Sequence, residues 1–161
     1  MNVAFVLNGK SVAVNVEPER RLVDILRENF GLTRAKAGCY SGECGACSVL
    51  FDGELACSCL LPAFTVRGSD VVTIEGFEGS AEHAEIVKAF AEAGYRPCSY
   101  CVSARVLAVE ALLRTNPQPD ERDILVGLSG ISCQCAGYTS LVKAVALAAE
   151  SRKSKRRGRR D

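Results

Sequence analysis

Gly38-Cys39-Tyr40-Ser41-Gly42-Glu43-Cys44-Gly45-Ala46-Cys47 sets three cysteines within nine residues, and its reading decides the fold around it. Three thiolates can point inward from so short a loop only if the backbone curls tightly about one centre. Gly38, Gly42 and Gly45 are expected to allow that curl, through positive φ and close backbone approach. They also leave N–H groups free to aim at sulfur. A fourth ligand must come from outside the loop. Cys57 and Cys59 follow in a stretch that reads as strand, where alternation puts both on one face. Cys59 is chosen because it completes the pattern C-x4-C-x2-C-x11-C. Cys57 is left as a buried, apolar-like cysteine.

The first gaps of that pattern match the plant-type spacing for a 2Fe–2S cluster. Structural zinc usually shows two C-x2–4-C knuckles, which this loop lacks. Working outward, Cys98, Cys101, Cys133 and Cys135 form a second quartet, C-x2-C followed much later by C-x-C. Both pairs fall just before expected helices, whose N-termini offer N–H groups and positive dipole ends to an anionic cluster. By spacing alone this second quartet could also hold zinc.

The remaining sequence supplies two scaffolds. Val3, Phe5 and Leu7 alternate up to Asn8-Gly9, and Val12, Val14 and Val16 alternate after it, a hairpin signal. Leu22, Ile25, Leu26 and Phe30 have helical spacing, with Gly31 as the stop. Ser48–Phe51 and Glu54–Cys59 flank Asp52-Gly53 as a second hairpin, and Val71–Ile74 reads as a short strand. Residues 1–76 are therefore expected to form a ferredoxin-like β-grasp domain, with Gly76–Ser80 as linker. Residues 80–150 read as four short helices in a bundle: one capped by Ser80 with Ile86, Val87 and Phe90 inward, one through Val102–Val109, one capped by Asp120, and one through Leu141–Ala148. The fold class is α+β.

Composition narrows function. With 161 residues, 48% hydrophobic and 24% charged, the chain is an ordinary globular one with room for one or two small domains. No stretch reaches the roughly 20 apolar residues of a membrane-spanning helix. The N-terminus shows no basic leader, twin arginine or cleavage site, so a cytoplasmic location is expected. Cytosolic cysteines stay reduced, which favours metal ligation over disulfides. Residues 151–161 hold seven Lys and Arg against Asp161 alone and are expected to be a disordered basic tail. No aromatic residue is interleaved there to stack on bases, so nucleic acid is not an expected partner. Neither a Walker loop nor GxGxxG nor a nucleophile–histidine arrangement occurs, and no independent catalytic site is expected. His83 is expected to be solvated, and Tyr40 and Tyr100 to shield clusters from water.

GCYSGECGAC, CSCLLPA, CSYC and CQCAGY, in that order, resemble the iron–sulfur subunit of molybdenum hydroxylases, the xanthine oxidase family, over about residues 1–150. The resemblance implies a ferredoxin-like 2Fe–2S domain joined to a helical four-helix-bundle 2Fe–2S domain. It implies an electron-transfer role between a molybdopterin-binding large subunit and an FAD-binding medium subunit, in a heterotrimer or its dimer. Cys98, Cys101, Cys133 and Cys135 would hold the cluster nearer molybdopterin; Cys39, Cys44, Cys47 and Cys59 would hold the one facing FAD. Alternatives are a zinc-stabilised interaction module with a basic binding tail, or a stand-alone two-cluster ferredoxin.

One departure stands out. The family usually reads Q-C-G-[FY]-C-[TS]-P-G at the first pair of the second quartet; here the segment is Pro97-Cys98-Ser99-Tyr100-Cys101-Val102-Ser103-Ala104. Pro97 has no side-chain amide and no backbone N–H to offer the pterin. Ser99 and Ala104, in place of glycines, would crowd a close approach. Ligation is expected to survive while the pterin contact is altered or supplied by another subunit. Gln134 between the last two ligands, where the family often has arginine, is expected to be a packing variation.

Overall fold

Asn8 (φ +51°) and Gly9 (φ +76°) close the first hairpin, because a two-residue turn matched to strand twist needs positive φ at both positions. They join β1 (Asn2–Leu7) to β2 (Lys10–Asn15), paired antiparallel from Leu7↔Lys10 to Asn2↔Asn15. Asp52 (φ +50°) and Gly53 (φ +88°) do the same between β3 (Ser48–Phe51) and β4 (Glu54–Cys57). The computed structural model describes residues 1–157. β5 (Asp70–Val72) runs parallel to β1 and antiparallel to β3, giving the sheet order β2-β1-β5-β3-β4.

Against this sheet lies α1 (Leu22–Asp24), which continues as a wider π turn over Ile25–Asn29 before Gly31 (φ +68°) reverses the chain. Leu22, Ile25 and Leu26 are buried with Val3, Phe5, Leu7, Val49 and Val71 in one core. Each such side chain contributes about 1.5–3 kcal/mol on leaving water. Phe30 closes the end of that core edge-on to Phe5, ring centroids 6.0 Å apart.

The connection between the two halves differs from the sequence expectation. β5 ends at Val72, and Ile74 opens a single helical turn, α2 (Ile74–Phe77), where a strand end and a linker were expected. Asn8 is the reason. Its Oδ1 accepts the Thr73 N–H at 2.8 Å and its Nδ2 donates to Thr73 Oγ1 at 3.1 Å, which pulls the chain out of the sheet. A Cβ on Gly76 would meet that Asn8 side chain at 2.2 Å. Ile74 and Phe77 then bury in the helical core beside Leu50, so this stretch is structure shared by both halves.

Four longer helices follow. α3 (Ala81–Glu92) starts at Ser80, whose Oγ accepts the His83 N–H at 3.0 Å, and ends near Gly94 (φ +69°). α4 (Val102–Thr115) packs on β3, α3 and α5, and is therefore buried on almost every side. α5 (Glu121–Gly127) carries a capping box between Asp120 and Asp123. α6 (Tyr138–Arg157) closes the bundle against α3 and α5. Val87, expected inward, is exposed, because Ile86 and Phe90 fill the inner face of its helix, and Leu125 is likewise exposed beside the buried Ile124 and Leu128. His83 is half-buried, edge-on to Phe77.

The basic segment is also corrected. Residues 151–157, expected to be disordered, continue α6; residues 158–161 lie outside the described residues. Arg152 reaches Glu85 (2.7 Å) and Glu110, and Lys155 reaches Glu85 (2.9 Å), while Arg114 holds Glu110 at 2.6 Å. Glu85 and Glu110 are buried, so their charges hold the basic end of α6 in place. Among the described residues no helix is long and apolar enough to cross a membrane.

Candidate metal centres

The Gly38–Cys47 loop curls as expected, but its glycines divide the work differently. Gly42 (φ +79°) and Gly45 (φ +67°) take positive φ, while Gly38 does not and Tyr40 does (φ +57°). Tyr40 is held there by Arg21, which donates to its carbonyl at 2.7 Å and lies over its ring, and by its own hydroxyl donating to Asp24 at 2.8 Å. What Gly38 provides is space. A Cβ there would sit 2.8 Å from the Tyr100 hydroxyl and 3.0 Å from Cys44 Sγ. On Gly45 it would sit 2.2 Å from the Gly130 carbonyl oxygen, and on Gly42 2.5 Å from Leu60.

Within the loop, Cys39 Sγ accepts the N–H groups of Ser41 and Cys44, both at 3.4 Å. The Ser41 hydroxyl, followed by those backbone donors, lowers the Cys39 pKa to about 5. It is a thiolate at neutral pH, the form that binds metal. Cys47 packs beneath, with Val23 and Cys59 in one buried cluster and Cys57 at its edge. Here the strand expectation fails. β4 ends at Cys57, and Ser58–Leu60 turn as a 3₁₀ helix because Ser58 Oγ donates to the Cys47 carbonyl at 2.6 Å. Cys57 and Cys59 thus reach Cys47 from two directions, and Cys57 is half-exposed where a buried cysteine was expected. A hydrogen bond from Cys47 lowers Cys57 to about 7, while burial pushes Cys59 up to about 11.

In the second quartet, the Sγ atoms of Cys98, Cys101 and Cys133 lie within 4.8 Å of one another. Cys135 is exposed and stands outside that trio, with its pKa raised chiefly by the neighbouring Cys98. Backbone N–H groups of Cys101 and Tyr100 lower Cys98 to about 7, and burial raises Cys101 to about 12. Cys101 Sγ contacts the Ser132 carbonyl at 3.6 Å. The loops that carry the two quartets touch: the Ser132 N–H, beside Cys133, donates to the Cys44 carbonyl at 3.0 Å. Tyr40 and Tyr100 are both substantially exposed, although the Tyr100 hydroxyl presses on the first loop. Ala104 is fully buried in the helical core, and not at a surface where it could crowd a pterin as was expected.

Sequence reasoning missed three residues here. Arg105 is buried, with Nη1 on the Leu128 carbonyl and Nη2 on that of Ile131. Tyr95 is buried against Phe90 with no partner for its hydroxyl. Ser132 supplies the bridge to Cys44. Only Arg105 left a signal, as a single charge inside Val102–Val109.

Anionic sulfur fits what these residues offer. N–H donors already converge on Cys39 and Cys98, and two buried donors near the second trio, Arg105 Nε–H and the Tyr95 hydroxyl, lack acceptors. Paired thiolate loops of this kind, one on a mixed sheet and one on a helical bundle, define an iron–sulfur electron carrier. The 2Fe–2S iron–sulfur cluster binding domain matches residues 5–69, and the [2Fe–2S] binding domain matches residues 73–146. The chain belongs to the family of iron–sulfur subunits of the molybdenum hydroxylases, the xanthine oxidase family. It is 41% identical to the nicotinate dehydrogenase small FeS subunit of Eubacterium barkeri, over 89% of this chain and 92% of that one. It is 40% identical to a probable xanthine dehydrogenase subunit of Bacillus subtilis (strain 168), over 85% of this chain and 79% of that one. Quinoline 2-oxidoreductase from Pseudomonas putida 86 has the same fold, with a TM-score of 0.87 and 31% identity over 96% of both chains.

Proposed function

We propose that this chain carries electrons one at a time from a molybdopterin-binding large subunit, through two 2Fe–2S clusters, to an FAD-binding medium subunit. Cys98, Cys101, Cys133 and Cys135 hold the first cluster on that route; Cys39, Cys44, Cys47 and Cys59 hold the second. Each cluster, when bound, accepts and returns one electron. The chain's own part is to supply thiolates, to aim N–H groups at them, and to keep the two sites in contact. The observation that carries this reading is the 3.0 Å hydrogen bond from Ser132 to Cys44, which joins a neighbour of Cys133 to a residue of the other quartet. The relatives are named for nicotinate and xanthine, and the same class of holoenzyme, a heterotrimer or its dimer, is proposed here. Its substrate pocket lies on the large subunit. A cytoplasmic location belongs to the proposal and agrees with nine free cysteines.

Pro97 and Ser99 suggest that the pterin contact usual at this segment is made by another subunit. The test of the whole reading is purification of the assembled complex, followed by metal analysis and electron paramagnetic resonance. Molybdenum, FAD and two distinguishable reduced 2Fe–2S signals support it. A colourless zinc protein, or a stable two-cluster monomer without partners, overturns it.

A further inference from the structure

A guanidinium buried without a counter-anion is strongly unfavourable, and Arg105 is only 2% exposed. Two of its nitrogens donate to the carbonyls of Leu128 (2.9 Å) and Ile131 (2.7 Å), and its Nε–H has no acceptor. Carbonyl dipoles satisfy donors without cancelling a unit charge. No carboxylate pairs with Arg105 among the described residues, and the buried Glu85 and Glu110 are engaged by Arg152, Lys155 and Arg114. The groups at hand that carry negative charge once a cluster is bound are the cysteine sulfurs of the second quartet. Cys101 lies one helical turn back, its carbonyl accepting the Arg105 N–H at 3.0 Å. Cys133 lies two residues beyond Ile131, on the loop that Arg105 grips, and the Ser132 carbonyl between them touches Cys101 Sγ at 3.6 Å. The Tyr95 phenol senses all three: after burial, which raises it most, Arg105 lowers its pKa while Cys133 and Cys101 raise it.

We propose that Arg105 is the counter-charge of the 2Fe–2S cluster at the Cys98 quartet, a positioning residue that both fixes the Ile131–Cys133 loop against Cys101 and raises that cluster's reduction potential. This rests on the cluster assignment given above. A cluster with four thiolates gains one further negative charge when it takes an electron, with no proton transferred to Arg105. A fixed cation in a poorly screened interior therefore stabilises the reduced form more than the oxidised one. A guanidinium keeps its charge at any working pH, so the bias does not titrate away. The N-terminal cluster lacks such a residue among the described residues, so the effect is confined to one end of the route.

The experiment is a redox titration of the assembled complex, with each cluster followed by its own electron paramagnetic resonance signal, for wild type, R105K, R105M and R105Q. R105M and R105Q are expected to lower the reduced-to-oxidised ratio of the Cys98-quartet cluster at least tenfold at a fixed poise, about 59 mV for one electron. The N-terminal cluster should not move. R105K, which keeps the charge but cannot grip two carbonyls as a fork, should stay within about threefold of wild type. If the neutral variants lose that cluster's iron while R105K keeps it, the counter-charge role is likewise supported. Equal potentials in R105K and R105M, or equal loss of the cluster in both, overturns it in favour of packing alone. Absence of a second 2Fe–2S signal from the wild-type complex overturns the cluster assignment itself, a separate outcome.

Discussion

The backbone N–H of Ser132 donates to the carbonyl of Cys44 at 3.0 Å, tying the second cysteine loop to the first. This contact exists because neither loop carries bulk where they cross. Gly45 faces the Gly130 carbonyl, and Gly38 faces the Tyr100 hydroxyl. The glycines expected to wrap a cluster therefore also admit the other domain.

Gly45→Ala should disrupt the seam. Its Cβ would sit 2.2 Å from a backbone oxygen at φ +67°, so strain and clash add, with a cost of about 2 kcal/mol or more. Gly9→Ala, at φ +76° but facing open space, should cost only about 1 kcal/mol. Denaturant unfolding of both variants checks the difference; equal losses would mean that the seam contributes nothing.

Cys59→Ser is expected to abolish the N-terminal cluster, and Cys57→Ser to leave its iron and its resonance signal in place. Cys57 reaches Cys47 from the end of β4, but the 3₁₀ turn buries Cys59 against Cys47. Iron content per chain decides; the reverse pattern would reassign the fourth ligand.

Arg152→Met should destabilise the helical half by about 3–5 kcal/mol, because Glu85 and Glu110 are buried and Arg152 is their common partner. Lys153→Met, on the exposed side of α6, should change stability by no more than about 0.5 kcal/mol. Thermal unfolding at several salt concentrations measures both, and the Arg152 effect should persist as salt rises.

Alkaline pH should expose Tyr95. Burial, partly opposed by the Arg105 charge and added to by Cys133 and Cys101, raises its phenol from 10.0 to about 12 in the folded chain. A raised folded pKa means that its contribution is fully present below pH 10 and is lost as pH climbs towards 12. Tyr95→Phe should flatten the stability profile across that window, as read by denaturant midpoints at successive pH values.

Much of the architecture was legible because local chemistry and tertiary fold agree. Asn8-Gly9 and Asp52-Gly53 are turn pairs whose positive φ is observed, and Ser80 and Asp120 cap the helices that they precede. The failures came where distant groups override local preference. Asn8 draws Thr73 and Ile74 out of strand, Ser58 bends Cys59 into a turn, and Glu85 with Glu110 orders a basic segment that reads as a solvated tail.

The sequence by itself determined that two scaffolds carry cysteine-rich loops and the family to which the chain belongs. Each of these rests on spacing along the chain, which the sequence states outright. Only the tertiary structure decided that the two loops touch through Cys44 and Ser132, that Gly38 and Gly45 leave room for a neighbouring domain, and that Arg105 is buried on the carbonyls of Leu128 and Ile131 with no carboxylate partner among the described residues. Those are relations between residues far apart in the chain. They depend on how α4 packs against β3, and no local pattern encodes that.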